Sequence, residues 1–184
     1  MKQVLSISLF LAFTMMFFGT PQHVNAQNAG SSGIEIGNEV GQDLGDFEGY
    51  GADSTMLKLS QLRGKMVLLV MWNSLCGHCV TENVKFIKTF ENYNDKKFKK
   101  GNGFDVFCIG LDKERATWID ALDKQKYPWA SNVYVLDSWK DADVRFFGVK
   151  NLPGTFLIDG NGIVLAKNFT AEELEATLDK YLAK

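Results

Sequence analysis

Apolar and polar positions along the chain alternate between continuous runs and spaced stripes. Met66 to Trp72 is an unbroken apolar run, which predicts a strand covered on both faces, because a strand with one wet face would alternate. Cys79 to about Asn94 follows, with Val80, Val84, Ile87 and Phe90 spaced three to four apart and Glu82, Lys85, Lys88 and Glu91 on other faces. That spacing predicts an amphipathic helix. Gly101-Asn102-Gly103 breaks the pattern, Phe104 to Leu111 is a second buried run ended by Asp112, and Ala116 to Lys124 carries helical periodicity again.

Beyond Pro128, Val133 to Leu136 predicts a short strand and Asp141 to Phe147 a short helix closed by Gly148. Thr155 to Asp159, the turn Gly160-Asn161-Gly162 and Ile163 to Lys167 predict a hairpin. Thr170-Ala171-Glu172-Glu173 is a capping box that opens a last helix, in which Leu174, Leu178 and Leu182 recur every four residues. Upstream, Met56 to Ser60 alternates and Arg63-Gly64-Lys65 turns into the first buried run. Residues 27–50 are rich in Gly, Ser, Asn and acids, with weak alternation at Ile34-Glu35-Ile36; they predict a loose tail holding at most one short edge strand. The whole order predicts one α/β domain, a mixed sheet flanked by helices.

The first 26 residues stand apart. Lys2 precedes a mostly apolar stretch from Val4 to Phe18, broken by Ser6, Ser8 and Thr14, and Val24-Asn25-Ala26 supplies small residues at the cut. This is the pattern of a secretory signal peptide, whereas a spanning helix needs about twenty apolar residues. The expected layout is therefore a signal peptide at 1–26, a tail at 27–50 and the folded domain at 51–184, with export to the periplasm or cell envelope and no stable membrane insertion after cleavage.

The composition, 46% hydrophobic and 23% charged, is that of an ordinary globular domain. The segment from Gln27 onward carries 19 basic and 22 acidic residues, a net of −3, which argues against a nucleic-acid partner. The one basic run, Lys96-Lys97-Phe98-Lys99-Lys100, reads as a solvated helix end. Of two histidines, His23 falls in the leader and His78 lies between two cysteines. Ser-His-Asp machinery and His-rich metal sites are thereby disfavoured.

Cys76-Gly77-His78-Cys79 sits just after the most apolar strand and at the start of a helix. As half of a zinc site it would need two further ligands, and the segment after the leader offers only Cys108 and His78. No metal and no cofactor is expected. As a redox pair the placement is favourable: a thiolate at a helix N-terminus meets free N–H groups and the positive end of the macrodipole. Cys76 is then the nucleophile and Cys79, one turn further in, the resolving thiol. Gly77 and His78 modulate the pair, His78 by adding positive charge beside the thiolate. An inert staple is the bland alternative, although so short a loop closes little chain entropy. Cys108, mid-strand, reads as a small core hydrophobe.

Met71-Trp72-Asn73-Ser74-Leu75-Cys76-Gly77-His78-Cys79, together with Leu152-Pro153-Gly154-Thr155-Phe156-Leu157-Ile158-Asp159, resembles the thioredoxin superfamily, and more closely its exported TlpA-like reductases. The resemblance extends over residues 34–184. It implies a thioredoxin-like fold with an N-terminal strand extension and a strand–helix insertion before the cis-proline. It also implies that Pro153 is that cis-proline facing the cysteines, and that the backbone of Leu152 pairs with an extended substrate.

Three departures qualify it: Leu75 stands where the family has tryptophan, the Gly-His pair is that of protein disulfide isomerases, and Val70 replaces the buried acid of cytoplasmic thioredoxins. Proton transfer at Cys79 then falls to Glu82 or to water, unless Glu82 is only a surface acid.

The expected function is thiol–disulfide exchange on exported protein disulfides or thiols. The family likeness points to a reductase recharged by a membrane electron donor, while His78 points to a mild oxidant or isomerase. Proline- and histidine-containing pairs lie about 90 mV apart. A peroxidase would need a P-x-x-x-T-x-x-C pattern, and Leu69 to Cys76 has neither proline nor threonine. A non-catalytic metal or haem-delivery partner is the alternative from another class.

Overall fold

The computed structural model describes residues 33–135 and 140–184; the leader falls outside them. In chain order the elements are β1 (Glu48–Tyr50), β2 (Met56–Lys58), a 3-10 turn (Leu59–Leu62), β3 (Met66–Trp72), α1 (Gly77–Tyr93), β4 (Lys97–Phe98) and β5 (Gly101–Asn102). There follow β6 (Phe104–Gly110), α2 (Arg115–Gln125), β7 (Ser131–Tyr134), α3 (Ala142–Phe146), β8 (Gly154–Ile158), β9 (Val164–Lys167) and α4 (Ala171–Tyr181). Seven strands form one sheet in the order β2-β1-β7-β6-β3-β8-β9.

β3 lies at the centre, parallel to β6 and antiparallel to β8. Its seven residues are all buried, and the two-residue period of a strand sends them to two cores. Met66, Leu68, Val70 and Trp72 join Cys79 and Phe86 of α1, Trp118 of α2 and Leu174 and Leu178 of α4. Val67, Leu69 and Met71 join Phe47, Phe107, Val144, Phe147 and Phe156 on the opposite face. Burial on both sides is why the run is continuous. β1 and β2 are the N-terminal strand extension, and β7 with α3 the strand–helix insertion, so the mixed sheet flanked by helices is as expected.

Several local expectations are corrected. Residues 43–50 are not a loose tail: Leu44 and Phe47 are buried, and Gly41, Gln42 and Leu44 bond the backbone of Gly162 and Val164, covering the outer edge of β9. Ile34 and Ile36, where the alternation lay, remain exposed. The lysine run is not a helix end. Lys97–Phe98 and Gly101–Asn102 pair as a small hairpin, Phe98 is buried, and Lys99 N–H donates to Tyr181 O at the end of α4.

The inward face of α1 is wider than the one predicted: Val80, Ile87 and Phe90 pack half-buried against the core, as expected, but the fully buried positions lie beside them. Val84 is 44% exposed, and the buried stripe is Cys79, Glu82, Asn83, Phe86 and Thr89. Three of these are polar, so an apolar count misses them. Each has a partner: Asn83 Nδ2 donates to Tyr127 Oη at 2.9 Å, and Thr89 Oγ1 donates to Glu175 Oε1 at 2.9 Å.

The capping box of α4 forms as the sequence predicts. Glu173 N–H donates to Thr170 Oγ1 and Thr170 N–H to Glu173 Oε2. The hairpin turn is tightened by Asp159, whose Oδ1 accepts from Asn161 and Ile163 N–H at 2.9 and 3.1 Å. Gly162 there has φ +91°, a region that disfavours a side chain.

Candidate active site

The loop leaving β3 is laced to the end of β6 before it delivers Cys76. Asn73 Nδ2 donates to Leu111 O at 3.0 Å while Asn73 Oδ1 accepts from Leu75 N–H at 2.9 Å. Ser74 N–H lies 3.1 and 3.3 Å from the two oxygens of Asp112, and the Ser74 hydroxyl donates to the same carboxylate. Cys76 N–H closes the turn on Asn73 O at 3.0 Å.

Cys76 is the N-cap of α1. Its Sγ accepts from Cys79 N–H at 3.1 Å, so the sulfur takes one of the N–H groups a helix start leaves without a partner. Cys76 and Cys79 are joined as a disulfide with their Cα atoms 5.2 Å apart. Cys79 is fully buried and Cys76 only partly so, so Cys76 is the more accessible of the two. Gly77 and His78 are exposed on the first turn.

Across from the sulfurs, the Leu152–Pro153 peptide is cis and Leu152 O lies 4.0 Å from Cys76 Sγ. The side chain of Leu75, beside the disulfide, is 84% exposed. Next to these residues opens a cleft of about 840 Å³. It is lined by His78 and Glu82 of α1, by the Leu152–Pro153 segment, and by Asn38, Glu39, Lys167 and Phe169 among others. Glu39 is tied to Lys167 at 2.6 Å.

Glu82 is not a surface acid; it is 4% exposed. Its Oε2 accepts from Ala171 N–H at 3.1 Å, at the start of α4, and its Oε1 from Lys85 Nζ at 2.8 Å. The bonds to Glu82 and then to Glu172 push the Lys85 ammonium above its ordinary range. Val70, which the resemblance places where cytoplasmic thioredoxins carry a buried acid, is fully buried in the first core. Cys108 is a free, buried thiol whose ionisation burial pushes far up, so it is inert. Among the described residues no group of three or more His, Cys, Asp or Glu side chains could hold a metal ion.

Sequence reasoning thus located both cysteines, His78, Glu82, Leu152 and Pro153, and the fold brings them to one end of the sheet. It missed the Asn73–Ser74–Asp112 lacing and the cleft wall at Asn38 and Glu39. The only signal for the first was an aspartate directly after a buried strand. The second lay in a segment whose composition reads as a tail.

Relatives are of the same kind. The thiol-disulfide oxidoreductase ResA of Bacillus thuringiensis subsp. konkukian is 26% identical over 149 residues, 79% of this chain and 78% of that protein. ResA of Bacillus anthracis is 24% identical over 148 residues, 79% of this chain and 78% of its own length. Among solved structures, a thiol:disulfide interchange protein DsbE from Chlorobium tepidum superposes with a TM-score of 0.67 at 27% identity, over 77% of this chain and 96% of that one. The thioredoxin domain of a thiol-disulfide oxidoreductase from Bacteroides vulgatus, at 24% identity, shares the fold with a TM-score of 0.68, over 77% of this chain and 96% of its own. The Redoxin family model matches residues 39–182; the fold is thioredoxin-like, and the chain belongs to the Redoxin family.

Proposed function

We propose that this protein catalyses thiol–disulfide exchange on exported proteins through the Cys76–Cys79 couple. One observation carries the reading: Cys76 Sγ accepts the Cys79 N–H at the start of α1, on a partly exposed surface facing the Leu152 carbonyl. A thiolate there is stabilised by the helix N-terminus and by that donor.

In the reducing direction the Cys76 thiolate attacks one sulfur of a substrate disulfide. A Cys76–substrate bond forms, and the other substrate sulfur leaves as a thiolate and takes up a proton. Cys79, deprotonated, then attacks Cys76 Sγ; the enzyme disulfide forms and the second substrate thiol departs. Two electrons pass from the dithiol to the substrate, and an external dithiol donor, membrane-bound in the proposed cycle, restores it. Glu82 or a water takes the Cys79 proton. The backbone of Leu152 aligns the substrate strand and Pro153 keeps that approach open, with the adjoining cleft receiving the substrate chain. Residues 1–26 act as a signal peptide that sends the domain to the periplasm or cell envelope.

A second reading, disulfide isomerase or oxidase, is favoured by His78 on the exposed first turn beside Cys76, where its positive charge stabilises the reduced form. The test is catalysis of insulin reduction by dithiothreitol, with the resting potential read by equilibration with glutathione. Cys76→Ser is expected to reduce turnover to the uncatalysed rate, and Cys79→Ser to trap substrate as a mixed disulfide on Cys76. Undiminished turnover in Cys76→Ser would overturn the proposal. A potential less reducing than thioredoxin's favours the isomerase or oxidase direction.

A further inference from the structure

Asp112 is the one buried carboxylate next to the candidate active site that the exchange chemistry leaves without a task. It is 2% exposed, lies two residues beyond β6, and among the described residues is held by Ser74: the Ser74 N–H reaches both oxygens and the Ser74 hydroxyl one of them. Among the described residues it has no ion-pair partner. Burying a carboxylate without a cation is costly, and an apolar residue could have stood here. The bonds spent on it go to the residue two before Cys76.

We propose that Asp112 is a positioning residue for the redox couple: it fixes the loop that presents Cys76, and its charge sets how readily the Cys76 thiolate forms. The inference rests on the Cys76–Cys79 couple being the working site. The lacing shows the first half. Asp112 and Asn73 clamp residues 73–75 from both sides, and Leu111 N–H donates to Trp72 O at 2.8 Å, so the loop cannot shift without breaking the β3–β6 junction.

The second half follows from Coulomb's law in a dry interior, where a fixed negative charge opposes a second one forming nearby. The charge of Asp112 is felt at Tyr127 as the least of several influences: burial and then Cys108 push that phenol up, the Asn83 bond pulls it down, and Asp112 adds a smaller upward push. The titratable and charged groups around the couple among the described residues include His78 and Glu82 on α1, the latter paired with Lys85, Lys150 ahead of the cis-proline, and Asp112 behind the loop. Asp112 works against His78 and the helix N-terminus, disfavouring the thiolate and making the couple more reducing.

The full chain carrying Asp112→Asn, or Ser74→Ala, is equilibrated with glutathione, and Cys76 alkylation is timed at neutral pH. Asp112→Asn keeps the shape and an acceptor but removes the charge. Its equilibrium is expected to move toward the dithiol by roughly threefold to tenfold, and alkylation to quicken by a similar factor. Ser74→Ala leaves the charge with one donor fewer, and is expected to move both quantities the other way by roughly twofold. A purely structural clamp would lower stability without these opposed shifts. Folded variants whose equilibrium and alkylation rate equal the wild type's would overturn the inference; should Asp112→Asn fail to fold, Ser74→Ala decides it. A wild-type disulfide that never equilibrates with glutathione instead sinks the function proposed for the couple itself.

Discussion

Glu82 shows how a single side chain can be found by sequence and still be misjudged. Its helical position three residues after Cys79 predicts an acid near the couple or on the surface; the structure buries it as a bridge between two helices, capping α4 at Ala171 N–H and holding Lys85. Removing one partner of such a buried set leaves a backbone N–H with nothing to bond, which costs about 1–3 kcal/mol. Glu82→Ala is therefore expected to lower the urea midpoint by that equivalent, and Glu82→Gln, which keeps an acceptor, by clearly less. Equal losses in the two variants would refute the cap. If Glu82 also takes the Cys79 proton, Glu82→Gln slows release of substrate from the mixed disulfide while its stability stays near wild type. The two roles separate in the same pair of variants.

Elements were legible where one physical rule dominated. Because both faces are covered, β3 is a continuous apolar run and β6 nearly one, interrupted at Asp105, which pairs with Lys65; α4 announces itself through Thr170 and Glu173, whose reciprocal bonds need only local sequence. The buried face of α1 was legible only in part: Val80, Ile87 and Phe90 do pack against the core, but Glu82, Asn83 and Thr89 are polar groups paired to residues 44 to 89 positions away along the chain, Tyr127, Ala171 and Glu175. The far end of the same helix shows the energetic side of this pairing. Tyr93 Oη donates to Asp179 Oδ1 of α4 at 2.7 Å, and burial followed by this bond pushes the phenol up to about 12. A folded-state value above the ordinary 10 means the stabilisation is complete below pH 10, and is lost as the pH rises through the folded value. Tyr93 is half-buried and its hydroxyl lies near the surface, so the full shift is discounted to about 1 kcal/mol. The stability difference between wild type and Tyr93→Phe should shrink by that amount between pH 8 and pH 11.5 in urea titrations. A gap that stays constant over that range rules out the linkage.

At the scale of the molecule, composition misplaced where the folded unit begins. Glycine, serine and acids between residues 27 and 50 read as a tail, yet Asp46 accepts from Ser60 N–H and hydroxyl, and Leu59 N–H donates to Phe47 O at 2.8 Å. Phe47 then drops into the second core, its ring 6.2 Å from Phe107 and 5.6 Å from Phe147. Phe47 and Tyr50 are the two aromatics of this polar stretch and set up no periodicity, so which of them is buried is decided by tertiary contacts that sequence pattern does not encode. The same segment also carries Asn38, whose Nδ2 donates to Phe146 O of α3 at 2.6 Å, and Glu39, bound to Lys167 on β9. The wall of the cleft thus depends on a stretch that looks dispensable. Phe47→Ala should cost about 3–5 kcal/mol, the usual loss for a large buried aromatic, whereas Ile36→Ala, ten or so residues earlier but half exposed, should cost less than about 0.5 kcal/mol. Urea unfolding of the two variants measures both. Losses of similar small size would mean that this segment lies outside the cooperative unit; the predicted contrast would mean that the cleft lining at Asn38 and Glu39 is held by the same core that holds β3.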